Sequence, residues 1–350
     1  MAAARNWAPL GVEKTRGDEV VLIVDVIFRT SPKTAMGNHF TPATLQKAAK
    51  VERQKHLAHT PIDIHRYFVE RKALIDTALS QYLQPRDPHI SPLLHEAICY
   101  SVLDAGKRFR PILTLTVGEL FGAGRAPLLS FACAIEMIHC YSLIHDDLPA
   151  LDNDDFRRGK ASCHKRFGEA VALLAGDALL TEAFFIASDA ALARVLGSSL
   201  SAQLAREISQ AAGMRGMISG QSKEIELDHA EVTPAVLEEL DALKTGALIT
   251  TAVRVGALIG RATRKDLDRM TRYARCLGLA FQITDDMLDE HETISDDHKR
   301  LTNYLSVAGK AKAAERVQSL FTQCLKEIEA YGKAAEPLRE IARYVVERKQ

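Results

Sequence analysis

The sequence predicts an all-α protein: one large bundle of about ten or more helices around a central cavity. Two observations carry that prediction. From residue 61 onward apolar residues recur at helical spacing, as Ile64, Phe68, Ile75, Leu79 and Tyr82 do in the first helix. Strand-like alternation is nearly absent over the same span. Stretches of helical length rich in Ala and Leu occupy 93–105, 111–122, 127–148, 168–195, 199–221, 234–260, 264–290, 309–331 and 335–348.

Taken in order, residues 1–60 stand apart. They show no sustained helical period, and "EVVLIVDVIFR" has the β-branched content of a strand without an evident partner. They are expected to form an N-terminal extension, with the helical domain occupying 61–350. The first helix stops at "QPRDPHISP", where Pro85, Pro88 and Pro92 punctuate the chain. Residues 126–145, "APLLSFACAIEMIHCYSLIH", are apolar on most faces, which marks a central, buried helix.

Composition narrows the functions. Hydrophobic residues make up 47% and charged residues 26%, enough for a sizeable core. Lys+Arg and Asp+Glu are equal at 45 each, so no global field draws the chain onto nucleic acid or an anionic membrane. Cys99, Cys133, Cys140, Cys163, Cys276 and Cys324 are scattered without a CxxC pair. That argues against a zinc ribbon or a dithiol site and suits a reducing cytoplasm. No stretch is expected to reach the roughly 18–20 apolar residues of a membrane span. Residues 20–28, "VVLIVDVIF", are too short, carry Asp25 and lack the flanks of a signal peptide.

The chemistry concentrates in two acidic clusters. "HDDLPALDNDDFRRGK" crowds Asp146, Asp147, Asp152, Asp154 and Asp155 together and sets Arg157 and Arg158 beside them. Taken alone, this reads first as a solvated acidic loop and second as a metal site. Asp146 and Asp152 are six residues apart, a rotation of about 240° on a regular helix, so they converge only if "LPAL" bulges. The second cluster, "FQITDDMLDE", places Asp285, Asp286 and Asp289 near the end of another apolar helix, with Asp285 and Asp289 on one face. Acids at a helix C-terminus oppose the macrodipole. Two such placements suggest that hard cations such as Mg²⁺ supply the missing charge. Cations stand nearby in sequence: Lys107, Arg108 and Arg110 in "GKRFRP", and Lys244 beside Thr245 in "LKTGAL". Together they suit a diphosphate, gripped by forked Arg contacts and by Lys as a point charge.

These motifs, in this order, resemble the trans-prenyl diphosphate synthases of the isoprenoid synthase fold, most of all the bacterial short-chain farnesyl diphosphate synthases. The matching stretches are "GKRFRP", "IHCYSLIHDDLPALDNDDFRRGKASCHKRFGEA", "LLAGDALL", "GQSKEIEL", "KTGALI" and "GLAFQITDDMLD". The resemblance implies that Asp146, Asp147, Asp152, Asp285, Asp286 and Asp289 bind Mg²⁺, three ions when the allylic diphosphate is present. It implies that Arg157, Lys244, Thr245 and Gln282 hold the allylic substrate. Lys107, Arg110, His139 and Arg158 would take isopentenyl diphosphate, although His139 by itself reads as a core histidine. Catalysis would fall to Asp146, Asp152, Arg157, Lys244, Gln282 and Asp285. Other implied properties are a homodimer, no organic cofactor, no nucleic acid and a farnesyl product.

Product length is expected to depend on Tyr141 and Ser142, five and four residues before Asp146. They lie about 6–7.5 Å along the helix, little more than one isoprene unit below the acids. Tyr141 reads equally as core packing. The "PA" insert in "DDLPALD" resembles the short-chain bacterial type. Two departures stand out. The 290–309 segment looks shorter than the family's lid loop, has no glycine before Gly309, and sets Leu301 where a lysine belongs, with Lys299 and Arg300 close in sequence. Glu224 replaces a commoner aspartate. The alternatives are therefore a geranyl or geranylgeranyl diphosphate synthase, or a weakly active or non-catalytic paralogue.

Overall fold

The structure, a computed structural model, describes residues 62–85, 87–103, 106–227, 232–289 and 303–348. The expected extension at 1–60 and the loop with Lys299, Arg300 and Leu301 lie outside the described residues. The frame is helical, as the periodicity predicts. Helix α1 (Ile64–Tyr82) is N-capped by Asp63, whose carboxylate accepts from the His65 and Arg66 amides. Helix α2 (Pro92–Val102) starts with Ser91 as cap and Pro92 in its first turn. Next come α3 (Phe109–Leu120) and α4 (Arg125–Asp146). Helix α4 is the buried centre: a continuous run from Pro127 to Ile138 is closed to solvent, and it packs against α3 and α6 (Glu169–Ala187). Helix α11 (Ala247–Ile259) lies on α3, where the Thr114 hydroxyl donates to the Ala252 carbonyl at 3.1 Å.

Several expected long helices are broken, each for a local reason. The 168–195 stretch splits into α6 and α7 (Ala190–Leu196), because the Asp189 carboxylate accepts from the Ala191 and Leu192 amides and starts a new helix. The 199–221 stretch splits into α8 (Ser198–Ala212) and α9 (Met217–Leu227) across Gly213 and Gly216. The 234–260 stretch holds α10 (Pro234–Asp241), then a π-turn over Ala242–Gly246, then α11. Helix α12 (Arg264–Asp289) is continuous, as expected. After residue 302 come α13 (Tyr304–Ala308), α14 (Lys310–Ile328) and α15 (Glu336–Glu347). Asn303 and Ser306 form a reciprocal capping box that starts α13.

Two features were not expected. A short ribbon pairs β1 (Phe156–Arg157) with β2 (Lys160–Ala161), and α5 (Cys163–Phe167) follows it. The two residues between the strands, Arg158 and Gly159, both have positive φ (54° and 77°), the signature of a type I′ hairpin turn. The expectation about apolar length is also corrected. Arg125–Asp146, Glu169–Ala187 and Pro234–Ile259 are, by length and composition, apolar enough to cross a membrane. For Arg125–Asp146 the bundle core accounts for this, since 83% of its apolar window is buried, against 39% for Glu169–Ala187.

Candidate active site

The first acidic cluster begins where α4 ends. The Asp147 and Leu148 amides still donate back to Leu143 and His145, the last bonds of the helix. The chain then reverses: the Leu151 amide reaches the Leu148 carbonyl at 2.9 Å, and the Asp152 amide reaches the Asp146 carbonyl at 2.8 Å. The four-residue insert is therefore the bulge that convergence of Asp146 and Asp152 requires. Burial pushes the Asp146 carboxyl up to about 7; Lys244 pulls it down, and the like charge of Asp152 pushes it up.

Asp147 has a different environment. It is 2% exposed, and its Oδ1 accepts from Arg157 Nε at 2.8 Å and from Nη2. Arg157 Nη2 also donates to Asp154 Oδ2 at 2.8 Å. Arg157 is thus a counter-ion to two aspartates as well as a candidate diphosphate arm. Asp155 pairs with Lys165 at 2.6 Å, and both side chains are exposed.

The second cluster repeats this division on α12. Asp286 is 6% exposed; one oxygen accepts from Gln282 Nε2 at 3.1 Å and the other from the Tyr304 amide at 2.9 Å. Asp285 is more open and pairs with Arg348 at 2.6 Å. Asp289 closes the helix, and its side chain lies outside the described residues.

The π-turn connects the two clusters. Lys244 pairs with Glu224 of α9 and acts electrostatically on both Asp146 and Asp152. One residue on, the Thr245 hydroxyl donates to Gln282 Oε1 at 3.0 Å, which carries the connection to Asp286. A π-turn widens the helix by one residue and re-aims side chains, as it often does at functional sites. Gly220 lets α9 approach this turn: a Cβ there would sit 2.5 Å from the Lys244 nitrogen.

The second cation group gathers around α4. Arg158 Nη2 lies 3.5 Å from His139 Nε2. Burial first, then Arg110 and Arg158, hold His139 well below the usual imidazole range, so it is neutral. Arg110 has a buried Nε with no hydrogen-bond partner among the described residues, and burial lowers its pKa against the pull of Glu136. Gly106 is required here twice over. Its φ is +94°, and a Cβ would come within 2.8 Å of Arg158 Nη1. Lys107 follows it and is exposed.

Arg108, grouped above with the cations for a diphosphate, instead supports this group from within the core. Arg108 is wholly buried and holds left-handed backbone (φ 53°). Its guanidinium bonds Asp76 at 2.7 Å, Glu136 at 2.8 Å and the Val102 carbonyl at 2.5 Å. The buried Glu136 in an otherwise apolar helix was the available signal. Of the residues tied to product length, Tyr141 is 4% exposed and its hydroxyl points at the Ala212 carbonyl, 3.5 Å away at the end of α8. The Ser142 hydroxyl turns back to the His139 carbonyl at 2.9 Å.

Comparison with known proteins accords with this geometry. Residues 91–306 match the polyprenyl synthetase family. The chain is 35% identical over 91% of its length to the chloroplastic geranylgeranyl pyrophosphate synthase of Capsicum annuum, covering 89% of that protein. It is 38% identical over 77% of its length to the farnesyl diphosphate synthase of Escherichia coli, covering 94% of it. The crystal structure of an FPP/GFPP synthase from Zymomonas mobilis matches with a TM-score of 0.74 at 36% identity, over 82% of this chain and all of that one. Similarity of this extent, across the helices that carry both acidic clusters, shows that the chain belongs to the polyprenyl synthetase family of prenyltransferases.

Proposed function

We propose that the protein condenses isopentenyl diphosphate with dimethylallyl and then geranyl diphosphate, in a Mg²⁺-dependent reaction that stops at farnesyl diphosphate. The observation that carries this reading is the π-turn: Lys244 faces the first aspartate cluster while Thr245 is bonded through Gln282 to the second. The two clusters thereby border one site.

Mg²⁺ suits the donors. They are hard carboxylate oxygens, and Mg²⁺ takes one or two of these and completes its shell with water and substrate phosphate. Asp146 and Asp152 would hold it on one side, and Asp285 and Asp289 on the other. When bound, it neutralises the charge that develops on the leaving diphosphate. Arg157, held by Asp147 and Asp154, and Lys244 add fixed positive charge at the same leaving group. The allylic C–O bond breaks with its electron pair leaving on diphosphate. The Thr245 hydroxyl and the Gln282 amide oxygen, bonded to each other at 3.0 Å, would soften the allylic cation. Arg110, Arg158 and neutral His139 orient isopentenyl diphosphate, with Lys107 at the rim. Its double bond attacks C1, and the departed diphosphate takes the proton, so no side-chain base is needed.

Tyr141 supports the short product. Closed to solvent and aimed at the end of α8, it would block the path below the first cluster. The similarity to geranylgeranyl diphosphate synthases favours a C20 product as the second reading. A second copy of the chain is proposed to cover the apolar face of α6, where Leu173, Leu174 and Phe185 are 47%, 56% and 71% exposed.

Purified protein, Mg²⁺ and labelled isopentenyl diphosphate, offered each allylic diphosphate in turn, test the reading. The expected result is farnesyl diphosphate from dimethylallyl and geranyl substrates, and none from farnesyl diphosphate. A C20 product overturns the chain-length assignment, and no turnover with any substrate overturns the enzyme. Tyr141→Ala is expected to lengthen the product; an unchanged profile removes Tyr141 from that role.

A further inference from the structure

Arg348, at the C-terminal end of α15, reaches into the second aspartate cluster. Its side chain is only 4% exposed, and Nη2 lies 2.6 Å from Asp285 Oδ1. The same nitrogen donates to the Phe281 carbonyl at 2.9 Å, and the guanidinium carbon sits 4.0 Å from the centre of the Phe281 ring. Phe281 in turn stacks on Phe109, 5.0 Å away, beside Arg110. Arg348 Nε is buried with no hydrogen-bond partner among the described residues. The guanidinium is therefore fixed by stacking and by one carboxylate, with a donor to spare.

We propose that Arg348 is a built-in counter-cation for Asp285 that makes metal and diphosphate bind as a pair. The inference rests on the metal role proposed for Asp285. A metal ion that takes the Asp285 carboxylate competes with Arg348 for its charge and must approach the positive guanidinium. A buried guanidinium that loses its carboxylate needs another anion. The diphosphate supplies that anion, and Nε gives it a second point of attachment. Metal alone is disfavoured, anion alone meets an arginine already engaged, and the two together satisfy every charge. That is a positive coupling between two ligands of one site.

The test uses Mn²⁺, with free ion counted by electron paramagnetic resonance, with and without inorganic pyrophosphate, in full-length wild type, Arg348→Gln, Arg348→Lys and Asp285→Asn. Arg348→Gln is expected to bind Mn²⁺ alone about threefold to tenfold more tightly than wild type, the scale of a partly exposed ion pair. The affinity gained on adding pyrophosphate should shrink by a similar factor. Arg348→Lys, which keeps the charge, should stay near wild type and controls for loss of the stacked side chain. Unchanged or weaker Mn²⁺ binding by Arg348→Gln, while Asp285→Asn loses binding, overturns the role of Arg348 alone. Mn²⁺ binding that is insensitive to Asp285→Asn overturns the metal role of Asp285, and this inference with it.

Discussion

At Asp146 and Asp147, and again at Asp285 and Asp286, two adjacent aspartates stand near the end of a long helix. In both pairs the second member is the buried one. Asp147 holds Arg157, and Asp286 holds Gln282 and the Tyr304 amide. The first members keep more open surroundings, Asp146 with Lys244 and Asp152, Asp285 with Arg348. The pairs differ in how a third carboxylate arrives. Asp289 follows Asp285 by four residues on an unbroken helix, so helical geometry aligns them. Asp152 follows Asp146 by six, and only the chain reversal closed by the Asp152 amide on the Asp146 carbonyl brings them together. An adjacent pair of acids is thus two parts: one member is buried and bonded to its neighbours, and the other stays open on the side proposed for the substrate.

The largest test of that division separates the members of the first pair. Asp146→Asn is expected to lower kcat by about 10²–10³-fold through lost transition-state stabilisation. Asp147→Asn should act through Arg157, raising KM for the allylic substrate more than it lowers kcat. Equal kcat losses for the two would break the comparison. Stability should move the other way. An aspartate whose folded pKa is raised to about 7 disfavours the folded state once pH climbs above its unfolded value of 3.8. The penalty grows until pH passes the folded pKa. Metal-free Asp146→Asn should therefore be more stable than wild type at pH 8, by on the order of 4 kcal/mol. The gain should fade towards pH 4 in urea titrations.

The second test converts one cluster into the geometry of the other. Deleting Pro149 and Ala150 leaves the outer acids of the first cluster four residues apart, the spacing of Asp285 and Asp289. Helix α4 can then run on and align them without a reversal. Turnover should fall by less than about tenfold, because the carboxylates still share a face. The product distribution should shift to longer chains as the helix end is rebuilt above Tyr141. Complete loss of Mn²⁺ binding would show that the reversal does more than align two acids.

Much of this was legible in the sequence, for physical reasons. Charges at the end of an apolar helix are conspicuous, and an i, i+4 pair needs only the helix to be placed. The bulge between Asp146 and Asp152 follows from their spacing. The π-turn at Lys244 does not: Gly246 in "ALKTGAL" weakens a helix without specifying a widened turn, and the close approach of α9 at Gly220 leaves no local pattern. Arg348 was illegible for another reason. It lies 63 residues beyond Asp285, and no local pattern couples them. Helix breaks at Asp189 and Gly213 were available as cap and glycine signals, but the apolar period ran across them.

The smallest effect sharpens the comparison within the second pair. Asp286 accepts from a side-chain amide and from the first amide of α13, and α13 is held from its far side as well. The Tyr304 hydroxyl donates to Glu238 at 3.2 Å, and Arg316 grips the same carboxylate at 2.8 and 2.9 Å. Asp286→Ala would take the acceptor from the buried Tyr304 amide and from the half-buried Gln282 amide nitrogen, at a cost of about 2–3 kcal/mol. Asp286→Asn keeps one acceptor oxygen for the Tyr304 amide, and its new NH₂ group faces the Gln282 amide, so the cost is nearer 1 kcal/mol. Asp285→Asn keeps an amide oxygen that can accept from Arg348, whose Nη2 also keeps the Phe281 carbonyl, so its effect on stability should stay within about 1 kcal/mol. Urea unfolding of the three metal-free variants therefore ranks them Asp286→Ala, Asp286→Asn, Asp285→Asn. A larger loss for Asp285→Asn than for Asp286→Ala would mean that the exposed member, and not the buried one, holds the end of α12 to the helices around it.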